Sequence, residues 1–204
     1  MTIETISQLD KLFHLTQGPY KAFLYDCDGT LADNMGAHKE AFVKTALEFA
    51  IQLDDAIIDE LAGWPTIVIA NEIIKRYGVH FDPETFARRK STVFVEEYIN
   101  KTLPIYFVVE HLKRSADGVK IGVVSGGSRS TVSKTLQLID VCQHVDVLVC
   151  AGDTTRGKPY PDPFIRAAEL LHVSPQECLV FEDGDAGVQA AREAGMKWIR
   201  VDKI

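Results

Sequence analysis

The sequence has no run of Lys and Arg: 22 basic residues stand against 29 acidic ones, for a formal charge of -7. Proteins that work on nucleic-acid backbones draw their affinity from clustered cations that displace counterions. Nucleic acid is therefore excluded as the main partner. No stretch stays apolar through the roughly 20 residues that a helix needs to cross a bilayer. The N-terminus carries Glu4 and Asp10 and lacks a basic start ahead of an apolar stretch, so it does not read as a secretory signal, and a membrane partner is set aside. Cysteine is scarce: Cys27, Cys142, Cys150 and Cys178 show no metal-ligand spacing and lie in or beside apolar runs, which reads as reduced thiols in a cytoplasmic protein. Internal repeats and low-complexity stretches are missing too.

What is present fits a globular chain with a sizeable core: 204 residues, 46% hydrophobic and 25% charged, enough for one domain with an insertion. Nothing demands more than a monomer. Short apolar runs recur at Ala22 to Tyr25, Ile121 to Val124, Val145 to Val149, Leu179 to Phe181 and Trp198 to Val201. Because they do not alternate with polar residues, they suit strands of a parallel sheet covered on both faces, and the spacing of the last four allows one crossover helix each. The expected fold class is α/β, a doubly wound parallel sheet with a Rossmann-like core. Asp162-Pro163 opens a helix through about His172, Ser174-Pro175-Gln176-Glu177 has the form of a capping box, and Ala186 to Ala194 is helical with Gly195 at its end. A short first helix places Ile6, Leu9 and Phe13 on one face and ends at Gly18-Pro19.

From Asp33 to about Leu103 no strand is expected. Phe42, Val43, Ala46, Leu47 and Ala50 recur at helical spacing, as do Ile67, Ala70, Ile73 and Ile74, and Phe86 to Asn100 is helix-compatible. The reading is a small inserted helical cap over 34–102, with a core formed by 1–33 and 103–204.

Chemistry concentrates where the strands end. Asp26-Cys27-Asp28-Gly29-Thr30 closes the first strand, and in an open parallel sheet the ligand crevice lies beyond the carboxyl ends. Cys27 as a nucleophile would need an Arg shortly after it to hold phosphate. None follows, and on a strand Cys27 faces away from Asp26 and Asp28. Val124 leads into Ser125-Gly126-Gly127-Ser128, the third strand is followed by Gly157-Lys158-Pro159, and Phe181 leads into Glu182-Asp183. Each has a bland reading as a turn serine, a surface lysine or a solvated acid pair. Their common position favours one site. Asp26, Asp183 and Glu182 supply hard oxygen ligands of the sort that Mg2+ prefers, while Lys158 and the Ser125 hydroxyl suit an anion. Asp26 then serves as the nucleophile and Asp28 as general acid and base, with crowding among carboxylates expected to raise the Asp28 pKa.

These four segments, Asp26-Cys27-Asp28-Gly29-Thr30-Leu31, Ser125, Lys158 and Glu182-Asp183, closely resemble the four ordered motifs of the haloacid dehalogenase superfamily. The resemblance covers nearly the whole chain after Tyr20. It implies a Mg2+-dependent phosphatase that acts through an aspartyl phosphate: nucleophile Asp26, acid/base Asp28, phosphate contacts from Ser125, Gly126 and Lys158, and metal ligation by Asp26, the Asp28 backbone carbonyl and Asp183. Glu182 meets the metal directly or through water. Thr30 and Gly127 join the substrate side.

Lys158-Pro159-Tyr160-Pro161-Asp162-Pro163-Phe164 and Phe181-Glu182-Asp183-Gly184-Asp185-Ala186-Gly187 look like the branch that holds beta-phosphoglucomutase and sugar-phosphate phosphatases. Where the mutases carry a cap arginine shortly after a glycine, this chain reads Gly63-Trp64-Pro65-Thr66-Ile67, more like phosphatases of the fructose-1-phosphate type. Losing that guanidinium favours hydrolysis of a small phosphorylated metabolite over mutase chemistry, and phosphonatase is disfavoured. A phosphomutase, and a regulator that binds a phosphorylated ligand without turnover, stand as alternatives. The cap side chains set against substrate are His38, Trp64, Thr66 and Lys90, with Arg129 after the serine loop. Their bland readings are helix surface for His38, core for Trp64, a solvated face for Lys90 within Arg88-Arg89-Lys90, and exposure for Arg129.

Overall fold

The computed structural model describes residues 2–204. In chain order the elements are α1 (Ile3–Leu15), β1 (Ala22–Tyr25), β2 (Ala32–Asp33), α2 (Met35–Glu48), α3 (Ala56–Glu60), α4 (Thr66–Tyr77), α5 (Pro83–Val93), β3 (Leu103–Pro104), α6 (Tyr106–Ser115), β4 (Lys120–Val124), α7 (Arg129–Leu138), β5 (Val147–Val149), α8 (Asp162–Leu171), β6 (Cys178–Glu182), α9 (Asp185–Glu193) and β7 (Lys197–Arg200). Five strands form one parallel sheet in the order β5-β4-β1-β6-β7, the doubly wound α/β arrangement read from the apolar runs. The winding direction reverses at β1, which makes its carboxyl end the natural ligand crevice.

Side chains of β1 alternate between two apolar layers. Phe23, Tyr25 and then Cys27 join Leu12, Leu112, Val132 and Leu136 from α1, α6 and α7, whereas Ala22 and Leu24 join Phe164, Ala168, Ala190 and Ala191 from α8 and α9. Cys27 is fully buried among apolar neighbours, which disposes of it as a nucleophile. The edge strand β7 leaves Trp198 exposed, since only one neighbour covers it. Among the described residues, no helix is long and apolar enough to cross a membrane.

The helices α2 to α5 lie between β2 and β3, which pair antiparallel where the chain leaves and rejoins the sheet. They carry their own apolar cluster, with Phe42, Ile58, Ile69, Ile73 and Phe86 at its centre. Val43 and Leu47, included in the helical spacing, are exposed because they fall to one side of the face of α2 that buries Phe42 and Ala46. The stretch from Phe94 continues α5 as a π-helical turn to Tyr98 and a 3-10 turn to Lys101.

Three local expectations need correction. The Ser174 segment forms only a 3-10 turn over Pro175–Glu177; Ser174 Oγ donates to Glu177 Oε2 (2.7 Å), and Cys178 already begins β6, leaving no room for a helix. In α1 the buried pair is Leu9 and Leu12, while Ile6 is exposed. Cys142, read as lying with apolar neighbours, is exposed.

Candidate active site

β1 delivers Asp26, whose amide donates to the Phe181 carbonyl (2.9 Å) and so extends the pairing with β6 by one residue. The chain then folds back on itself, with the amides of Leu31 and Ala32 both donating to the Cys27 carbonyl. Gly29 makes this turn at φ +94, and a Cβ there would meet Asp183 Oδ2 at 2.2 Å. Both the left-handed backbone and the close approach demand glycine. The turn thereby brings the loops after β1 and β6 into contact, and Thr30 Oγ1 donates to Asp183 Oδ1 (2.9 Å).

Lys158, from the loop after β5, is buried and spends its ammonium on three acceptors: Asp26 Oδ1 (2.5 Å), Glu182 Oε1 (2.5 Å) and the Val124 carbonyl (2.9 Å). Burial alone would lower its pKa, but Asp26 and Glu182 outweigh that and hold it above the ordinary lysine range. One ammonium does not balance three carboxylates. Ligand oxygens of Asp26, Glu182 and Asp183 all lie within 4.8 Å of one another. Burial pushes the Asp26 carboxyl well up, with Glu182 and Asp183 adding to it against Lys158; Asp183 is pushed to about 6 by burial and then by Glu182. An excess of negative charge in a dry site fits a hard divalent cation. Glu182 is the most committed of the three: its second oxygen accepts from the amides of Asp183 and Gly184, at 3.2 Å each. A Cβ on Gly187 would sit 1.8 Å from Glu182 Oε1, so that glycine is what admits the carboxylate beside α9.

Asp28 faces different company. Its Oδ1 accepts from Asn34 Nδ2 (2.7 Å) and lies 3.2 Å from His38 Nε2. Lys90 Nζ is 2.7 Å from His38 Nδ1, and an ammonium can only donate, so Nδ1 accepts and the imidazole proton sits on Nε2, toward Asp28. The ring stacks on Phe94 at 3.9 Å, and the ammonium stands over the Phe42 ring at 4.4 Å. Burial, with Lys90 alongside, lowers the His38 pKa; burial brings Lys90 down to about 8. For Asp28, burial raises the pKa but His38, Asn34 and Lys90 overcome it, leaving the carboxyl below its ordinary range. This reverses the expected upward shift: the nearest groups are donors from the insertion, and the carboxylates lie on the other side of the site.

Asp26, Asp28, Ser125, Gly126 and Gly127 line one cavity of 60 Å³ together with His38, Trp64, Thr66 and Lys90. His38 and Lys90 are thus neither on a helix surface nor solvated. Ser125 Oγ accepts from the Gly127 amide (3.0 Å). Two expected substrate contacts fall elsewhere. Arg129 donates to the Leu148 carbonyl (3.0 Å) and pairs with Asp153 (2.5 Å), because α7 starts by turning it toward β5. Thr30 spends its hydroxyl on Asp183. Asn34 and Phe94 went unnoticed in the sequence; a polar residue at the start of α2 is the only signal that pointed to the first.

The insertion loop from Ala62 to Pro65 rests on glycines of the loops after β4, β5 and β6. A Cβ at Gly126 would meet the Gly63 and Trp64 carbonyls at 2.9 and 3.0 Å, one at Gly157 would meet Pro65 Cγ at 2.3 Å, and one at Gly184 would meet the Ala62 carbonyl at 3.4 Å.

Comparison with known proteins agrees with this architecture. The family model described as haloacid dehalogenase-like hydrolase matches residues 23–201. The chain is 32% identical over 183 residues to fructose-1-phosphate phosphatase YqaB of Escherichia coli, covering 89% of this chain and 96% of that protein, and 29% identical to hexitol phosphatase A of the same organism, covering 89% and 83%. The crystal structure of beta-phosphoglucomutase from Clostridium difficile superposes with a TM-score of 0.75 at 25% identity, covering 88% of this chain and 83% of that one. With the family model spanning most of its length and the loops after four strands meeting beyond one parallel sheet, the chain belongs to the haloacid dehalogenase-like hydrolases, in the branch that holds sugar-phosphate phosphatases.

Proposed function

We propose that the protein is a Mg2+-dependent phosphatase that hydrolyses small sugar phosphates through an aspartyl phosphate on Asp26. The observation that carries this reading is the cluster of buried Asp26 and Glu182 with half-buried Asp183 beside a single ammonium, a charge imbalance that no packing argument requires. Asp26, Asp183 and the Asp28 carbonyl would hold Mg2+, whose charge offsets repulsion between the nucleophile and an anionic ester. Glu182 orients Lys158 in this scheme and reaches the metal through water, since protein donors occupy both of its oxygens.

The chain's own groups divide the remaining work. Ser125 and the amides of the Gly126-Gly127 turn seat the phosphate, and Lys158 neutralises it from below. Asp26 attacks phosphorus as the bond to the sugar oxygen breaks, and Asp28 gives that oxygen its proton. A water molecule then attacks the aspartyl phosphate while Asp28 takes up the water's proton, returning Asp26 as a carboxylate beside free phosphate. With Asn34 donating to it and the His38 imidazole 3.2 Å away, Asp28 is set in its ionised form, the state required for the second half.

Hydrolysis is favoured over phosphate migration by the cavity wall. Lys90 is its one cationic side chain among the described residues, and His38 already occupies it; Thr66 stands where a second phosphate would need a guanidinium. The two relatives named as fructose-1-phosphate and hexitol phosphatases point to sugar phosphates as the substrate class. A panel of hexose and hexitol phosphates incubated with Mg2+ tests the reading, with Asp26→Asn as the blank. Release of inorganic phosphate by the unsubstituted protein alone supports it; an isomerised phosphosugar that builds up faster than phosphate would favour a mutase, and no release across the panel would sink it.

A further inference from the structure

The helix α1 stands outside the family match, which begins at residue 23, and the five strands with their crossover helices close the doubly wound sheet without it. It lies on α6, giving Leu9 and Leu12 to the apolar layer on that side, with Phe13 packed against it. Gly18 and Pro19, both exposed, follow in the short link to β1. An appended helix with so few buried side chains opens more readily than the sheet it covers.

The remaining tie between α1 and the core is polar. His111 of α6 is fully buried among Phe13, Phe23 and Phe181, with ring centroids 4.7, 5.4 and 5.2 Å away. Its Nε2 is 3.0 Å from Thr16 Oγ1 and its Nδ1 is 2.8 Å from Tyr25 Oη. Thr16 donates its hydroxyl proton to the Phe13 carbonyl (3.1 Å), so Nε2 carries the imidazole proton and Nδ1 accepts from Tyr25. A chain of three hydrogen bonds thus runs from β1 through α6 to the end of α1, and each proton in it has one acceptor.

A second proton on His111 breaks this chain. The ring would then donate at both nitrogens, leaving the Tyr25 hydroxyl proton without an acceptor in a fully buried position. No charge stands by to compensate. α1 presents Phe13 and Thr16 to the ring, β1 presents Phe23 and Tyr25, and β6 presents Phe181. Asp26 and Glu182, at the ends of β1 and β6, are held by Lys158; Asp10, Lys11 and His14 of α1 are exposed; and on α6 itself Glu110 pairs with Arg114 and Lys113 with Asp140. Burial accordingly brings the imidazole down to about 4, against an ordinary 6.5. Between these values the open state binds the extra proton, so the chain holds in full above pH 6.5 and weakens as pH falls toward 4.

We propose that α1 is a strap latched by the Thr16–His111–Tyr25 chain, and that protonation of His111 in mild acid releases it from α6 while the sheet stays folded. The latch lies between α1, α6 and β1, away from the phosphate chamber, and stands or falls independently of the phosphatase reading.

Native-state hydrogen exchange at pH 7.5 and 5.0, corrected for intrinsic rates, reads the opening of α1 and of the central strand β4 separately. At both pH values α1 should open about tenfold more often than β4, or more. Lowering the pH should raise the α1 opening constant about 30-fold, the linkage expected of a histidine displaced from 6.5 to about 4. Two variants remove the titration: His111→Phe combined with Tyr25→Phe, which leaves no orphaned donor, and His111→Gln, which keeps a polar side chain. In whichever of them retains the β4 protection of the unsubstituted protein, the response of α1 to pH should fall to about twofold or less. Equal opening constants for α1 and β4 overturn the strap. An α1 response below about threefold in the unsubstituted protein, or one that persists undiminished in a folded variant, overturns the latch.

Discussion

Two buried lysines, Lys158 beside Asp26 and Lys90 behind His38, behave in opposite ways. Lys158 lies between two carboxylates and a carbonyl, so its charge is held above the ordinary lysine range. Lys90 has only an imidazole nitrogen and two aromatic rings around its ammonium, and burial brings it down to about 8. Burial is nearly equal in the two; the partners differ. The first cluster is assembled by the ends of three core strands and is complete whatever the insertion does. The second exists only while α2 and α5 hold His38 and Lys90 over Asp28. In the proposed mechanism one half of the site would be a fixed receptor for phosphate and metal, and the other a conditional setting of the acid/base group.

The largest break in this comparison comes from Asp28→Asn. Removing the proton carrier should lower turnover by roughly 10² to 10⁴-fold, the usual contribution of general acid–base catalysis. The fixed half should not notice, so the rise in melting temperature on adding Mg2+ should match that of the unsubstituted protein. Full activity, or loss of the Mg2+ response, would show that the two halves are not separable.

Lys158→Met attacks the other side. It leaves Asp26 and Glu182 buried without their cation, which should cost about 3–5 kcal/mol of stability, the scale seen when one partner of a buried ion pair is removed. Chemical denaturation without Mg2+ measures this. The same change at Lys90 strands no carboxylate and removes a charge whose burial is unfavourable, so at pH 7 it should stabilise, by up to about 3 kcal/mol.

How far the sequence reveals these halves differs in the same way. The fixed half was legible because each of its groups follows directly on an apolar strand: Asp26 after Ala22–Tyr25, Ser125 after β4, Glu182 and Asp183 in or after β6. Position at a strand end is a local property, and a parallel sheet brings such ends together without further instruction. The conditional half depends on residues far apart in the chain. His38 and Lys90 meet across 52 positions, Asn34 reaches Asp28 through a helix start, and Phe94 slides under His38 from the far end of the insertion. Nothing in the spacing of Arg88-Arg89-Lys90 tells which of three cations turns inward. The Asp28 pKa was misread for that reason: its sign depends on which neighbours the insertion supplies. Arg129 failed through a competing local partner, Asp153, which the sequence places no nearer than other acids.

A pH series on Lys90→Met sharpens the contrast. Lys90 titrates near 8 in the folded protein and near 10.5 when unfolded, so between these values the unfolded chain binds the extra proton. Stability should therefore rise with pH through this window, and below pH 8 the full cost of burying the charge is felt. The difference between the unsubstituted protein and Lys90→Met should change by up to about 3 kcal/mol across pH 8 to 10.5. Lys158, displaced upward, contributes no rise there. A flat difference would mean that Lys90 is not held in its dry, poorly paired position.

The smallest effect expected tests whether the insertion's seat links the halves. Gly157 adjoins Lys158, and a Cβ on it would stand 2.3 Å from Pro65 Cγ, a contact that a rigid ring cannot relieve by rotating away. Gly157 has no left-handed backbone to defend, so Gly157→Ala introduces crowding alone. The loop from Ala62 to Pro65 must lift by a few tenths of an ångström or more, at about 1 kcal/mol, the low end of overpacking costs. Lys158 keeps its three acceptors, so chemical denaturation should show no loss beyond that cost. His38 and Lys90 ride on the element that is lifted, and kcat should fall a few-fold with an unaltered Mg2+-induced rise in melting temperature. Loss of that rise would mean that the seat also shapes the metal end, and the division into a fixed and a conditional half would have to be redrawn with Gly157 on the boundary.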